Sequence, residues 1–221
     1  MRPGYAIWRL GLAKPVPATV WALVVAAFVA TSVLRGDGRV WAYVTVVLVV
    51  TAAFALVDGT VGFGDGVIWL LVLTGTLHLA GGLLPDLTGD GVLYDTWLIS
   101  GVLRFDQVVH MVGSIAATAA SWQLLGTWLD LGRTPVRTQA YLAGIAGLGK
   151  GAFNEVVEFL LGARLPGAHV GGYENTGWDL VFDVAGCVAA AAFLVWSRSP
   201  RRPARDPRAL TDEASVVDVP A

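Results

Sequence analysis

Eight residues of this 221-residue chain combine ionisable chemistry with an apolar setting: His78, Asp106, His110, Lys150, Glu155, Glu158, Asp179 and Asp183. Two histidines and several carboxylates form a donor set suited to zinc, iron or manganese. The same groups suit proton relays, and they also suit polar pairing between helices. Their spacing is regular. Asp106 precedes His110 by four, Asp179 precedes Asp183 by four, and Glu155 precedes Glu158 by three. Residues three or four apart share a helix face, so each pair can aim at one point. Five carboxylates stand against Lys150, Arg104 and at most Arg164. Unpaired carboxylates in low dielectric either take up protons or bind a cation.

The segments that carry these residues are strongly apolar. Apolar residues make up 55% of the chain and charged residues 14%, with a mean hydropathy of +0.64. Soluble domains carry roughly 25% charged residues, so this chain cannot face water everywhere. A spanning helix needs about 20 mainly apolar residues. Six segments qualify, over 16–34, 40–57, 66–84, 107–129, 139–163 and 176–196, joined by Gly, Pro and Asp clusters that belong in loops. The expected fold is all-α: a polytopic transmembrane bundle of six spans within residues 1–200, followed by a disordered cytoplasmic tail over 201–221. Arg2, Arg9 and Lys14 precede the first apolar stretch, which reads as a retained anchor rather than a cleaved leader. The longest connection, Pro85 to Asp106, has an apolar and aromatic middle (Val92 to Val102) that predicts a short interfacial helix.

Orientation follows from Lys and Arg. One side receives Arg2, Arg9, Lys14, Arg133, Arg137, Arg198, Arg201, Arg202, Arg205 and Arg208; the other receives Arg35, Arg39, Arg104 and Arg164. Both termini are therefore expected in the cytoplasm, in the plasma membrane of a bacterium. An ionisable group at mid-span costs about 2.5–3.5 kcal/mol, so these groups should face the bundle interior. The alternating helix directions put His78, His110, Glu158 and Asp183 at one level, about 9–10 Å from the outer helix ends at 1.5 Å per residue. One extracytoplasmic site is the simplest account. The first two spans contain no such residue, so an inert pair of helices stands beside a polar group of four.

Other features are quieter. Cys187 lies in an apolar run, where a small buried thiol is expected, and a single cysteine excludes an intramolecular disulfide. The GIAGLGKG run (Gly144 to Gly151) lacks the Ser or Thr and the preceding strand of a phosphate loop. Gly147 and Gly151 instead predict a face that lets another helix approach. GFGDG (Gly62 to Gly66) reads as a tight loop. Nothing points to nucleic acid.

The runs RFDQVVHMVG (Arg104 to Gly113), FNEVVEF (Phe153 to Phe159) and ENTGWDLVFDVAG (Glu174 to Gly186) resemble the YjdF-like bacterial inner-membrane proteins. The resemblance covers roughly His78 to Gly186 and implies a six-span protein. It picks out Arg104, Asp106 and His110, then Asn154, Glu155 and Glu158, then Trp178 and Asp179, with His78 and the pair Tyr94 and Asp95 also similar. It carries no established activity. The first two spans and the tail match in character alone.

The leading expectation is a membrane-embedded hydrolase with a divalent metal, acting on a lipid or other amphiphile at headgroup depth. His78, Asp106, His110, Glu158 and Asp183 are the ligand candidates and Glu155 the general base. Asp179, Asn154, Trp178, Arg104, Lys150, Tyr94 and Asp95 are the expected supporting residues. The rivals are a small proton- or ion-coupled transporter and an assembly protein whose polar groups only fix helix packing. No oligomeric state follows from the sequence.

Overall fold

A computed structural model describes residues 11, 13–89, 91–164 and 172–198. Arg2, Arg9, the middle of the fifth connection and the tail 201–221 lie outside the described residues. The molecule is an all-α membrane bundle. Its helices are α1 (Pro15–Leu34), α2 (Val40–Val61), α3 (Asp65–Leu83), α4 (Phe105–Trp128), α5 (Val136–Arg164) and α6 (Tyr173–Arg198). All but α5 are long and apolar enough to cross a membrane. α5 has the length but carries Arg137, Lys150, Glu155, Glu158 and Arg164 within it.

Local signals set the ends of the helices. Proline at the start of α1 removes an amide that would otherwise lack a partner. α2 runs a turn beyond the apolar segment, because the chain stops at Gly62, whose φ of 63° is left-handed. The Asp58 side chain then accepts from the Phe63 amide at 2.7 Å. α3 starts immediately after, where Lys14 Nζ reaches Asp65 at 3.2 Å and the Gly64 amide donates to Gln123 at 2.8 Å. At the other end of α3, Arg35 donates to the Leu83 carbonyl at 2.7 Å, satisfying a helix-end acceptor.

The connection between α3 and α4 departs from the interfacial helix expected there. Leu93–Asp95 form a single 3-10 turn, and Trp97–Ile99 (β1) pairs antiparallel with Leu103–Arg104 (β2). The reason is local. Thr96, Ile99 and Val102 are β-branched, and Gly101 adopts φ 70°, which favours a hairpin turn over helix. The Phe105 amide donates to the Thr96 carbonyl at 2.9 Å, so the hairpin closes where α4 begins.

α4 is the hub. It packs on α5, α6 and α3 and touches α2 and the hairpin segment, while α1 leans on α3 and α2. α2 is held at both ends: Val40 and Val47 join Leu79 and Leu83 near the hairpin end, and Phe54 and Val57 join Phe63, Val67 and Ile68 at the opposite end. In lipid no hydrophobic force drives helices together, so close packing and polar contacts must do it. The predicted glycine face does this for α5. A Cβ on Gly147 would collide with Thr118, and one on Gly151 with the Asp183 carboxylate. On α6, Gly186 lies against the Met111 backbone.

Candidate functional site

These glycine contacts bring α4, α5 and α6 together around His110. From α4, Asp106 and His110 project on one face, a turn apart. His110 Nε2 lies 3.5 Å from Glu155 Oε1 on α5 and 3.8 Å from Asp106 Oδ1. Its Nδ1 lies 3.4 Å from Asp183 Oδ1 on α6. Ser114 donates to that same Asp183 oxygen at 2.6 Å, fixing the carboxylate that faces the imidazole. A ring nitrogen held by a hydrogen-bonded carboxylate is the usual way a histidine is oriented as a ligand or proton carrier.

A second layer of contacts joins the hairpin to α6. Asn175 Nδ2 donates to Asp106 Oδ2 at 3.1 Å and to Asp179 Oδ2 at 2.5 Å. Its Oδ1 accepts from Arg104 Nη1 at 3.2 Å, and the Arg104 guanidinium stacks 4.7 Å from the Trp97 ring centre. One amide thus links two carboxylates that would otherwise repel and ties both to a cation. Asn154 donates to Glu158 Oε1 at 2.7 Å along α5.

What remains unpaired is informative. Glu155 is 7% exposed, Asp179 0% and Asp183 1%. Among the described residues Asp179 Oδ1 and Asp183 Oδ2 are buried without a hydrogen-bond partner, and the buried Glu155 carboxylate has Thr176 and, at 3.5 Å, the His110 ring beside it. A buried polar atom left unsatisfied costs about 1–3 kcal/mol, and more when charged. Among the described residues two triads could hold a metal ion, Asp106–His110–Asp179 and His110–Glu155–Glu158, with donor atoms within 4.8 Å of one another. His110 is common to both.

The expected residues therefore divide into groups. Asp106, His110, Glu155, Glu158, Asp179 and Asp183 form one cluster. Asp179 and Glu155 stand among the metal-capable triads, while Asp183 is engaged behind His110. His78 takes a different place. Tyr94 OH meets His78 Nδ1 at 2.5 Å and the Tyr43 ring lies 5.4 Å away, so its imidazole is held by two tyrosines on the α3 side. Burial raises the Tyr94 phenol well above its ordinary pKa, which keeps it a hydrogen-bond donor. Lys150 points into the cavity beside these groups, whereas Trp178 and Asp95 are exposed. Two site residues escaped the sequence reading, Ser114 and Asn175. The spacing rule reaches both, since Ser114 follows His110 by four and Asn175 precedes Asp179 by four. Neither is ionisable, so a search for charge in the spans passes over them.

A family model described as a predicted membrane protein, DUF2238, matches residues 16–200 of the chain. No curated protein and no solved structure matches it. The matched stretch contains every residue of the cluster.

Proposed function

The chain belongs to the DUF2238 family of predicted membrane proteins, and on that premise we propose a six-span enzyme of the bacterial plasma membrane that holds a divalent metal at His110. Both termini are cytoplasmic on this reading, as the Lys and Arg distribution requires. The hairpin end of the bundle is then extracytoplasmic. α5 counts as the remaining span despite its charges, because Glu155, Glu158 and Lys150 lie on faces turned to the cluster and the cavity.

The observation that carries the proposal is the group of buried carboxylates around His110, of which Asp179 Oδ1 and Asp183 Oδ2 have no hydrogen-bond partner among the described residues. A divalent cation in one triad would engage Asp179, and in the other Glu155. Nε2 of His110, with Asp106 and Asp179 or with Glu155 and Glu158, supplies the donors. Such a metal polarises an ester or phosphoester and activates water. Whichever of Glu155 and Glu158 stays free of it serves as general base. The substrate is a lipid or another amphiphile, since the cluster runs from the first turn of α4 to about three turns inside the ends of α5 and α6. A proton or ion relay would need polar groups along the inner half of the bundle. The lining there is mostly apolar, with Phe54, Ile68, Leu71 and Val72, and Lys14 at its inner end is engaged with Asp65.

Metal analysis of the detergent-purified protein tests the proposal. Stoichiometric zinc, iron or manganese is expected, lost in His110→Ala with the protein still folded and monodisperse. A metal-free wild type whose His110→Ala and Glu155→Gln variants melt early would replace the enzyme by a bundle held together by polar packing.

A further inference from the structure

The cluster does not face open solvent alone. A cavity of about 240 Å³ extends from Tyr94, Asp106 and Glu158 past His78 and His110 into the interior, where Val47, Val50, Phe54, Leu71 and Ala117 line it. Its inner end reaches Lys14, just before α1, and Pro17 and Trp21 within it. From His78 to Ile68 on α3 is ten residues, about 15 Å of helix at 1.5 Å per residue. That is one leaflet's share of a hydrocarbon core about 30 Å thick. The volume lies below the roughly 300–1,000 Å³ of drug-sized ligand pockets, enough for one chain rather than two.

The cavity also has a side entrance. On α2, Val46 and Val50 line the cavity and are exposed as well. Lys150 forms the opposite bank on α5 and is likewise exposed. Its Nζ lies against Gly113, one turn inside His110, with no hydrogen bond or ion pair to it among the described residues. Asp183, Glu158 and Glu155 face this ammonium from the polar cluster; with Glu155 and Glu158 drawn to a metal, it is the cation at the mouth of the apolar slot that can take an anionic ligand group. Trp21 braces the inner part: its Nε1 donates to Thr51 at 3.1 Å and its ring rests on Gly75.

We infer that the slot between α1–α3 and α5 seats a single acyl chain of a phosphate-bearing amphiphile, which enters sideways from the bilayer past α2 with its phosphate at Lys150. This rests on the reading of the His110 cluster as the reacting centre and specifies what it acts on.

The test uses the full chain in detergent and a lysophospholipid carrying a photoreactive group at the acyl terminus, with crosslinked peptides located by mass spectrometry. Labelling should concentrate on the α1 and α3 residues around Trp21, Ile68 and Leu71. Val50→Trp, at an exposed lining position, should abolish it without repacking the core; Leu71→Trp should do the same from the buried side. A monoacylglycerol probe of equal chain length should label at least about tenfold less, as loss of one charge-assisted contact predicts. Lys150→Gln should remove that difference. Label spread over lipid-facing residues such as Val49 and Phe193, or unchanged in both tryptophan variants, would overturn the slot. Metal content measured on the same samples separates the two ideas. A metal-free protein that still labels at Leu71 sinks the metal and keeps the slot, and a metal-replete protein without slot labelling does the reverse.

Discussion

The two halves of the molecule use glycine in opposite ways. In α4–α6, Gly147 and Gly186 admit the backbone of a neighbouring helix, and Gly151 admits the Asp183 carboxylate. In α1–α3, Gly75, Gly81 and Gly82 each receive the ring of an aromatic side chain, from Trp21, Tyr94 and Tyr43. Backbone against backbone gives the closest approach that helices can make and leaves little freedom. A ring against a glycine leaves volume beside it. The first half therefore fixes carboxylates to within hydrogen-bonding tolerances, and the second encloses a cavity. A polar site needs the former, since an ångström of slack would strand its buried oxygens. A hydrocarbon slot needs only the latter.

The strongest way to break this contrast is to fill one glycine in each half. Gly186→Ala places a methyl against the Met111 backbone, which cannot step aside. A loss at or above the top of the ~1–3 kcal/mol range for overpacking is expected, seen as a collapse of thermal stability in detergent. Gly82→Ala meets the far end of the Tyr43 ring, which can swing, and should cost about 1 kcal/mol or less. Equal melting temperatures for the two variants would remove the distinction between the halves.

A smaller effect sharpens the polar half. Ser114→Ala removes the donor that holds Asp183 against His110. If His110 binds a metal, affinity should fall about 10–100-fold, the usual cost of losing a group that orients a ligand, while the melting temperature of the apo protein moves little. Unchanged metal affinity would mean that Asp183 is oriented without Ser114.

Tyr94→Phe probes the seam between halves. It deletes the hydroxyl that meets His78 and should cost about 0.5–1.5 kcal/mol of stability, with His110-dependent metal binding intact. Loss of metal in Tyr94→Phe would place His78 in the same coordination set as His110. Smallest of all should be Thr51→Val, which removes the acceptor of the Trp21 indole. Membrane-buried hydrogen bonds average about 0.6 kcal/mol, so a melting shift beyond that scale would show Trp21 bracing more than the slot.

Much of the architecture was readable one residue at a time. Apolar length marks five of the helices as candidate spans, because a helix in lipid must satisfy its own backbone over a fixed thickness; α5 has the length but not the apolar character. Spacing by three and four put Asp106 with His110, Glu155 with Glu158 and Asp179 with Asp183, because a helix returns to the same face each turn. The glycine face of α5 was readable for the same reason, and the common level of the polar groups follows from rise per residue alone.

Azimuth between helices was not readable. Nothing in the spacing around His78 says that α3 turns it toward Tyr94 and Tyr43, and nothing around Asp183 says that it stands behind His110 with Ser114. The hairpin replaced an expected helix because Gly101 and its β-branched neighbours outweigh the apolar character of that stretch. The cavity appears only once α1 to α5 are assembled, since each of them supplies part of its lining. Hydropathy and periodicity are properties of one helix, and so the sequence determined which residues share a face and a depth. Which faces meet is decided where Gly147, Gly151 and Gly186 let helices touch, and that contact between distant segments exists only in the folded bundle.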